Sequence, residues 1–299
     1  MTKRPALYVQ PVAIDLAWND PEENLRRMED AIRGRLRRAA GTPSREQLFV
    51  FPELTLTGFV TKSPRSFALR PPDPVIGRIR ELARRCRTGI VAGFPERNAA
   101  DRKKPFNTIV LIDPSGGIEA CYRKTHLFTV GRSPESRVYT PGDSGVVALY
   151  RGWKIGFAIC FDIRFPRLFM EYGRAGAELI LVPSCWIGGP HKSYQFRTLG
   201  SAQAILAQSY VVSVNRSGRD PSYEYDGSEY VFSPFGEDVY RDAPCRLDVS
   251  EASGARALRV RDADRPCYRV MAHRGSGRCP ARGRNRPDRR GTFREGSIA

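Results

Sequence analysis

The sequence predicts an α/β fold, because short apolar runs alternate with amphipathic segments of helical period through the first 240 of its 299 residues. Hydrophobic residues make up 41% of the chain, which is enough for a buried core. No uninterrupted apolar run approaches the roughly 20 residues that a membrane-spanning helix needs. We therefore expect one large α/β domain and no membrane partner.

Eight apolar runs are predicted to be strands: Leu7–Ile14, Leu48–Pro52, Gly89–Phe94, Thr108–Ile112, Glu119–Arg123, Lys154–Cys160, Glu178–Pro183 and Tyr210–Val214. Four segments between them have helical periodicity: Pro21–Ala39, Asp73–Arg87, Phe165–Ala175 and Ser193–Gln208. Asp20 and Pro21 occupy the N-cap and first-turn positions of the first helix.

The character of the sequence changes beyond residue 240. Apolar periodicity fades there, and residues 275–290 are so rich in Arg, Gly and Pro that they cannot bury enough apolar area to offset their ordering entropy. We predict a folded domain over residues 1–240 and an Arg-rich tail over 241–299, disordered beyond about residue 272.

The formal charge of +17 raises the question of nucleic-acid binding. The last 59 residues hold 15 Arg and 7 acidic residues, and they therefore supply +8 of that charge. This tail lacks the interleaved aromatic residues of a single-strand binder and has no base-reading motif. We therefore disfavour nucleic acid as a partner.

The cysteines and histidines do not form a metal-binding pattern. The seven cysteines include no C-x-x-C pair, and His126, His191 and His273 lie far apart in the sequence. We predict no metal. The start, MTKRPALYVQPVAI, moves directly from charged residues into a strand-like run without the long apolar core of a signal peptide, which predicts a cytoplasmic protein.

The segment Lys154–Phe169 (KIGFAICFDIRFPRLF) presents Cys160 at the end of an apolar run and before a helix start. A thiol in that position can serve as a nucleophile whose thiolate is stabilised by its surroundings. A cysteine in an apolar strand is more often a core residue. The segment alone leaves both interpretations open.

Two further segments carry ionisable residues directly after predicted strands. Phe49–Phe59 (FVFPELTLTGF) places Glu53 where partial desolvation raises a carboxyl pKa toward the range of a general base. Cys121–Phe128 (CYRKTHLF) places Lys124 before an apolar stretch. Taken singly, Glu53 is also consistent with a solvated loop carboxylate, and the Lys124 segment by itself favours a surface lysine.

The three motifs FPELTLTGF, YRKTHLF and CFDIRFP occur in this order, with separations of 71 and 36 residues between Glu53, Lys124 and Cys160. In this the chain resembles the carbon–nitrogen hydrolase (nitrilase) superfamily over roughly residues 6 to 240. Further landmarks that match are ALYVQPVAID, Asn107-Thr108, YTPGD, AELILVPSCW and VNRSG.

This resemblance implies an αββα sandwich, a homodimer or higher homo-oligomer formed through a helical face, and no cofactor. It also implies that Glu53 accepts the thiol proton and that Cys160 attacks an amide carbon. Lys124 and the backbone N–H of Phe161 would stabilise the tetrahedral oxyanion. Water activated by Glu53 would then hydrolyse the thioester.

Three further residues are candidates for substrate binding. Glu135 falls where many members of the family carry a second glutamate, and Trp186 ends the AELILVPSCW landmark. Arg164, four residues beyond the cysteine, could form a forked pair with a substrate carboxylate. Arg164 could instead pair with Asp162 or another carboxylate and shape the turn.

The motifs look most like those of the omega-amidases, which hydrolyse small dicarboxylic monoamides. Hydrolysis of N-carbamoyl amino acids and true nitrilase activity are the alternatives within the superfamily. From a different class, the chain could be a non-catalytic binding protein with a basic nucleic-acid-binding tail. The presence of all three catalytic residue types argues against that last interpretation.

Overall fold

The computed structural model describes residues 5–60, 62–70, 73–130 and 134–247, together with the backbone of 270–273. Two six-stranded sheets pack face to face, and two helices cover the outer face of each sheet. This is the predicted αββα sandwich. Within the described ranges, no helix is both long and apolar enough to cross a bilayer.

The strands of the first sheet are, in chain order, β1 Tyr8–Pro11, β2 Gln47–Val50, β3 Gly89–Glu96, β4 Phe106–Ile112, β5 Ile118–Arg123 and β13 Cys245–Arg246. Across the sheet they lie in the order β13-β1-β2-β3-β4-β5. Strands β1, β2 and β3 are parallel to one another, whereas β4, β5 and β13 join by antiparallel pairing.

The strands of the second sheet are β6 Gly145–Tyr150, β7 Trp153–Phe157, β8 Leu179–Ser184, β9 Tyr210–Asn215, β12 Glu229–Phe232 and β14 Val270–His273. Across the sheet they lie in the order β12-β9-β8-β7-β6-β14, with β7, β8 and β9 parallel at its centre. A small hairpin, formed by β10 Ser217–Arg219 and β11 Glu224–Asp226, lies beside the two sheets.

Helices α1 (Pro21–Arg38) and α2 (Pro74–Cys86) cover the first sheet, whereas α3 (Pro166–Arg174) and α4 (Lys192–Ala207) cover the second. The first helix begins as predicted, since the Asp20 carboxylate accepts a hydrogen bond from Glu23 N at 3.0 Å. All four helices are confirmed to within two residues at each end.

The period of two along each strand divides the core into layers. In β2, Leu48 and Val50 face the second sheet, while Phe49 and the following Phe51 pack against the helices. Both sets are fully buried. A strand buried on both faces reads as a continuous apolar run, which is why the central strands could be recognised in the sequence.

All eight predicted strands are present, but strands β6, β10, β11, β12, β13 and β14 were not predicted from the sequence. Strand β6 joins β7 through Arg151 and Gly152, whose φ angles of 49° and 81° form a turn in which Asn-Gly is the usual signal. Because Arg151 stands where Asn is usual, the sequence does not indicate this turn. The other missed strands are two to four residues long and gain their hydrogen bonds only from neighbouring strands.

Two features differ from the expected boundaries. Strand β7 ends at Phe157, three residues before Cys160, because Cys160 begins a 3₁₀ turn over Cys160–Arg164. Pairing also continues beyond residue 240, since Cys245–Arg246 lies alongside β1. Apart from the backbone of residues 272 and 273, the segment predicted to be disordered lies outside the described residues.

Candidate active site

The candidate residues follow the carboxyl ends of strands from both sheets. Glu53 follows β2, Lys124 follows β5, and Cys160 follows β7. Cys160 has a φ of 46°, and Leu54, next to Glu53, has a φ of 48°. Such left-handed conformations cost non-glycine residues about 1–3 kcal/mol each and are concentrated at functional sites.

Three charged side chains meet in the interior. The Lys124 ammonium donates to Glu53 Oε1 at 2.7 Å and to Glu135 Oε2 at 2.6 Å, and all three side chains are fully buried. The amide of Asn107 bridges the same two carboxylates, with distances from Nδ2 of 2.7 Å to Glu53 Oε1 and 2.9 Å to Glu135 Oε1. The structure thus places the predicted Glu53, Lys124 and Glu135 in one cluster.

Backbone amides complete the hydrogen bonding of the carboxylates. The N–H of Cys185 donates to Glu53 Oε2 and that of Phe128 to Glu135 Oε2, each at 2.8 Å. Every carboxylate oxygen of the cluster therefore accepts at least one hydrogen bond. Buried carboxylates without such donors would instead tend to bind a proton.

The electrostatics of the cluster favour a charged lysine and a neutral thiol. Burial opposes the charged form of Lys124, but attraction to Glu135 and Glu53 outweighs it and raises the ammonium pKa well above its usual value. Burial raises the pKa of Glu135 despite the nearby ammonium. Burial and the charge of Glu53 raise the pKa of the Cys160 thiol well above its usual value, although Lys124 acts in the opposite direction.

A cavity of about 770 Å³ gives access to this cluster. Its lining includes the predicted Lys124, Cys160, Phe161, Arg164 and Trp186. The Cys160 residue is 8% exposed, whereas Glu53 and Glu135 are completely buried and contact Lys124 from the interior. A ligand in the cavity can therefore meet the thiol and the ammonium directly.

Arg164 lies at this cavity and does not pair with Asp162. Its guanidinium donates to Gln195 Oε1 at 2.8 Å and lies over the Trp186 ring, 4.7 Å from the centroid. The indole itself is fixed by a 2.9 Å hydrogen bond from its Nε1 to the carbonyl of Lys192. Because a guanidinium carries five donors, the bond to Gln195 leaves donors for an anion in the cavity.

A buried aspartate ties the loop after β5 to the turn after β7. Asp162 accepts hydrogen bonds from Tyr122 OH, His126 N, His126 Nδ1 and Ile159 N, each at 2.8 Å, and from Thr125 Oγ1 at 3.1 Å. These donors lie on both segments that carry candidate catalytic residues. Asp162 therefore fixes the position of one segment relative to the other.

Comparison with known proteins shows the family of this chain. The family model for carbon–nitrogen hydrolases matches residues 8–248. The chain belongs to the carbon–nitrogen hydrolase family. The hydrolase is 31% identical over 226 residues to a 2-oxoglutaramate amidase of Paenarthrobacter nicotinovorans, an alignment that covers 72% of each chain.

Solved structures share the fold of this hydrolase. Nit3 from Saccharomyces cerevisiae, a member of branch 10 of the nitrilase superfamily, aligns with a TM-score of 0.74 at 24% identity, covering 86% of this chain and 96% of that one. A variant of the amidase from Nesterenkonia sp. AN1, with the acetamide moiety of fluoroacetamide covalently added at its active-site cysteine, aligns with a TM-score of 0.69 at 22% identity, covering 86% and 94%.

Two residues of the site were not assigned a role from the sequence. Asn107 was visible only as a family landmark, and Asp162 only as a possible partner of Arg164. Their contacts join segments far apart in the chain, so no local pattern reveals them. In the part of the chain that the structure describes, no three His, Cys, Asp or Glu side chains are grouped as metal ligands would be, and the absence of a metal stays a prediction.

We expect Asp162→Asn to destabilise the hydrolase by about 2–4 kcal/mol, because the new amide group faces buried donors that it cannot accept from. Asp143→Asn, at an exposed aspartate, is the matched control and should change stability by less than about 0.5 kcal/mol. Urea denaturation measures both. Equal unfolding midpoints for Asp162→Asn and the unchanged protein would contradict the role given to this carboxylate.

Proposed function

We propose that this hydrolase converts a small carboxamide to a carboxylate and ammonia through a thioester on Cys160. The observation that carries the proposal is that the Cys160 thiol and the Lys124 ammonium line one cavity, while buried Glu53 and Glu135 hold the ammonium from behind. A nucleophile, a cation and a carboxylate base are thus available at one place.

The thiol needs a base, because its raised pKa keeps it protonated near neutral pH. Glu53 is the proposed base. Its Oε1 already accepts two hydrogen bonds, from Lys124 and Asn107, whereas Oε2 accepts one from Cys185 N and retains a free lone pair. We therefore assign the thiol proton to Oε2.

The sulfur of Cys160 then forms a bond to the amide carbon, and the carbonyl oxygen becomes negative. The Lys124 ammonium and the N–H of Phe161 are the proposed donors to this oxyanion. Collapse of the intermediate breaks the carbon–nitrogen bond, and the nitrogen leaves as ammonia with the proton returned from Glu53. Water then attacks the thioester, gives a proton to Glu53, and releases the carboxylate and the thiol.

For the substrate, we propose an amide that carries a carboxylate a few atoms from the scissile carbon. Support comes from the position of Arg164, which lines the cavity beside Cys160 and is oriented by Gln195 and Trp186. The Paenarthrobacter relative is named for such a substrate, 2-oxoglutaramate.

A panel assay for ammonia release tests the function and its alternatives. It compares a dicarboxylic monoamide, glutamine, N-carbamoyl amino acids and simple nitriles. We expect the dicarboxylic monoamide to be turned over fastest and Cys160→Ala to abolish release while melting like the unchanged protein, because the variant lacks the nucleophile. Unchanged turnover in Cys160→Ala would refute the proposal. Fastest turnover of a nitrile or of an N-carbamoyl amino acid would instead indicate nitrilase activity or N-carbamoyl amino acid hydrolysis.

Arg164→Lys separates substrate recognition from a structural role. A lysine keeps the charge but loses the forked pair, so we expect kcat/KM for the dicarboxylic monoamide to fall about tenfold to hundredfold. An uncharged amide of similar length serves as the control and should lose less than about threefold. Equal losses on both substrates would show that Arg164 only shapes the turn.

We also propose that the hydrolase is a homodimer paired through α3 and α4. Apolar side chains are exposed on and beside these helices: Met170, Tyr194, Ile205, Leu206 and Phe235. Sedimentation at twice the 33.6 kDa chain mass would support the dimer, and sedimentation as a monomer would contradict it. The cytoplasmic location stays a prediction.

A further inference from the structure

Asn107 contacts all three charged residues of the buried cluster. It lies in β4 and is fully buried. Its carbonyl accepts the backbone N–H of Lys124 at 2.8 Å, so the two residues are held side by side. Its side chain lies on the opposite face of the strand from Thr108, whose hydroxyl donates to Glu96.

The orientation of the Asn107 amide follows from its neighbours. The Nδ2 group has two hydrogens, and two carboxylate oxygens lie 2.7 and 2.9 Å away, on Glu53 and Glu135. A flipped amide would point its oxygen at both acceptors and lose both hydrogen bonds. Oδ1 is left without a hydrogen-bond partner among the described residues. The side chain thus donates to both carboxylates while its own acceptor stays unpaired.

The charge of the cluster explains why a neutral donor is useful there. The cluster places two carboxyl groups around one ammonium in a space removed from water, so it holds one excess negative charge whenever both carboxyl groups are ionised. A second cation would attract the base permanently and make it a weaker proton acceptor. A neutral amide stabilises the second carboxylate by hydrogen bonding and adds no charge.

We propose that Asn107 is a positioning residue, which holds the carboxylates of Glu53 and Glu135 at fixed places around Lys124 and directs the thiol proton to Glu53 Oε2. The proposal rests on the proposed amidase function. Asn107 acts through the two glutamates and does not itself touch the reacting atoms. Glu53 Oε1 accepts one hydrogen bond from Lys124 and one from Asn107, and these two bonds occupy both of its lone pairs.

The sign of the pH effect follows from which form the amide stabilises. Burial already raises the pKa of Glu135, and the hydrogen bond from Asn107 favours the ionised form of that carboxylate. Loss of this hydrogen bond therefore makes protonation of Glu135 easier and moves the acid limb of kcat/KM to higher pH. The other ionisable groups that face the pair are Lys124, Cys160, Cys185 and Tyr139, and all four are retained in the variants. Above the shifted limb, where Glu135 is ionised, most of the turnover should return.

The experiment measures kcat and KM against pH for Asn107→Leu, which removes both donors at similar volume, and for Asn107→Ser, which keeps one. Thr108→Val is the matched control, because it deletes a buried hydrogen bond to a glutamate outside the site from the next position of the same strand. Thermal melting identifies any variant that fails to fold.

We expect Asn107→Leu to raise the acid limb by about one pH unit, which lowers kcat/KM on that limb by up to about tenfold with little change in KM. Asn107→Ser should give a smaller shift in the same direction, and Thr108→Val should leave the limb unchanged. A limb unchanged in both Asn107 variants, or a loss of kcat that is equal at every pH, would overturn the proposal. Absence of ammonia release by the unchanged enzyme would instead refute the amidase function itself.

Discussion

The burial of Lys124 between Glu53 and Glu135 is the interaction on which the rest of the site depends. Removing such charges from water is expensive, and a pair that loses one partner is strongly destabilised. Here the compensating donors come from β4, from the residues after β5 and from the residue after β8. The cluster therefore forms only when the two sheets pack against each other in one relative position, which couples the chemistry to the αββα fold.

The nucleophile depends on its surroundings in two ways. Burial makes the Cys160 thiol a weak acid, so it reacts only beside a base and a cation. Its left-handed backbone is also strained, by about 1–3 kcal/mol. Asp162 lies in that turn and accepts five hydrogen bonds, four from the end of β5 and the loop after it and one from Ile159, just before Cys160. These hydrogen bonds offset the strain and keep the loop after β5 in place.

The sequence was most informative where structure and chemistry are local. The run Leu48–Val50 of β2 is buried on both faces and is therefore apolar, and the motifs around Glu53, Lys124 and Cys160 occur in a recognisable order. Strand β6 was missed because its turn carries Arg151 in a conformation usually taken by Asn. The contacts of Asn107 could not be predicted, since they join residues 28 and 54 positions away.

In the proposed mechanism, Cys160 carries the acyl group during turnover. Acid quenching of the enzyme during hydrolysis of a dicarboxylic monoamide, followed by peptide mass spectrometry, tests this directly. We expect an acyl adduct on the peptide that contains Cys160, and we expect it to disappear once the amide is exhausted. Ammonia release with no adduct on Cys160, or an adduct on Cys185 of the same cavity, would contradict it.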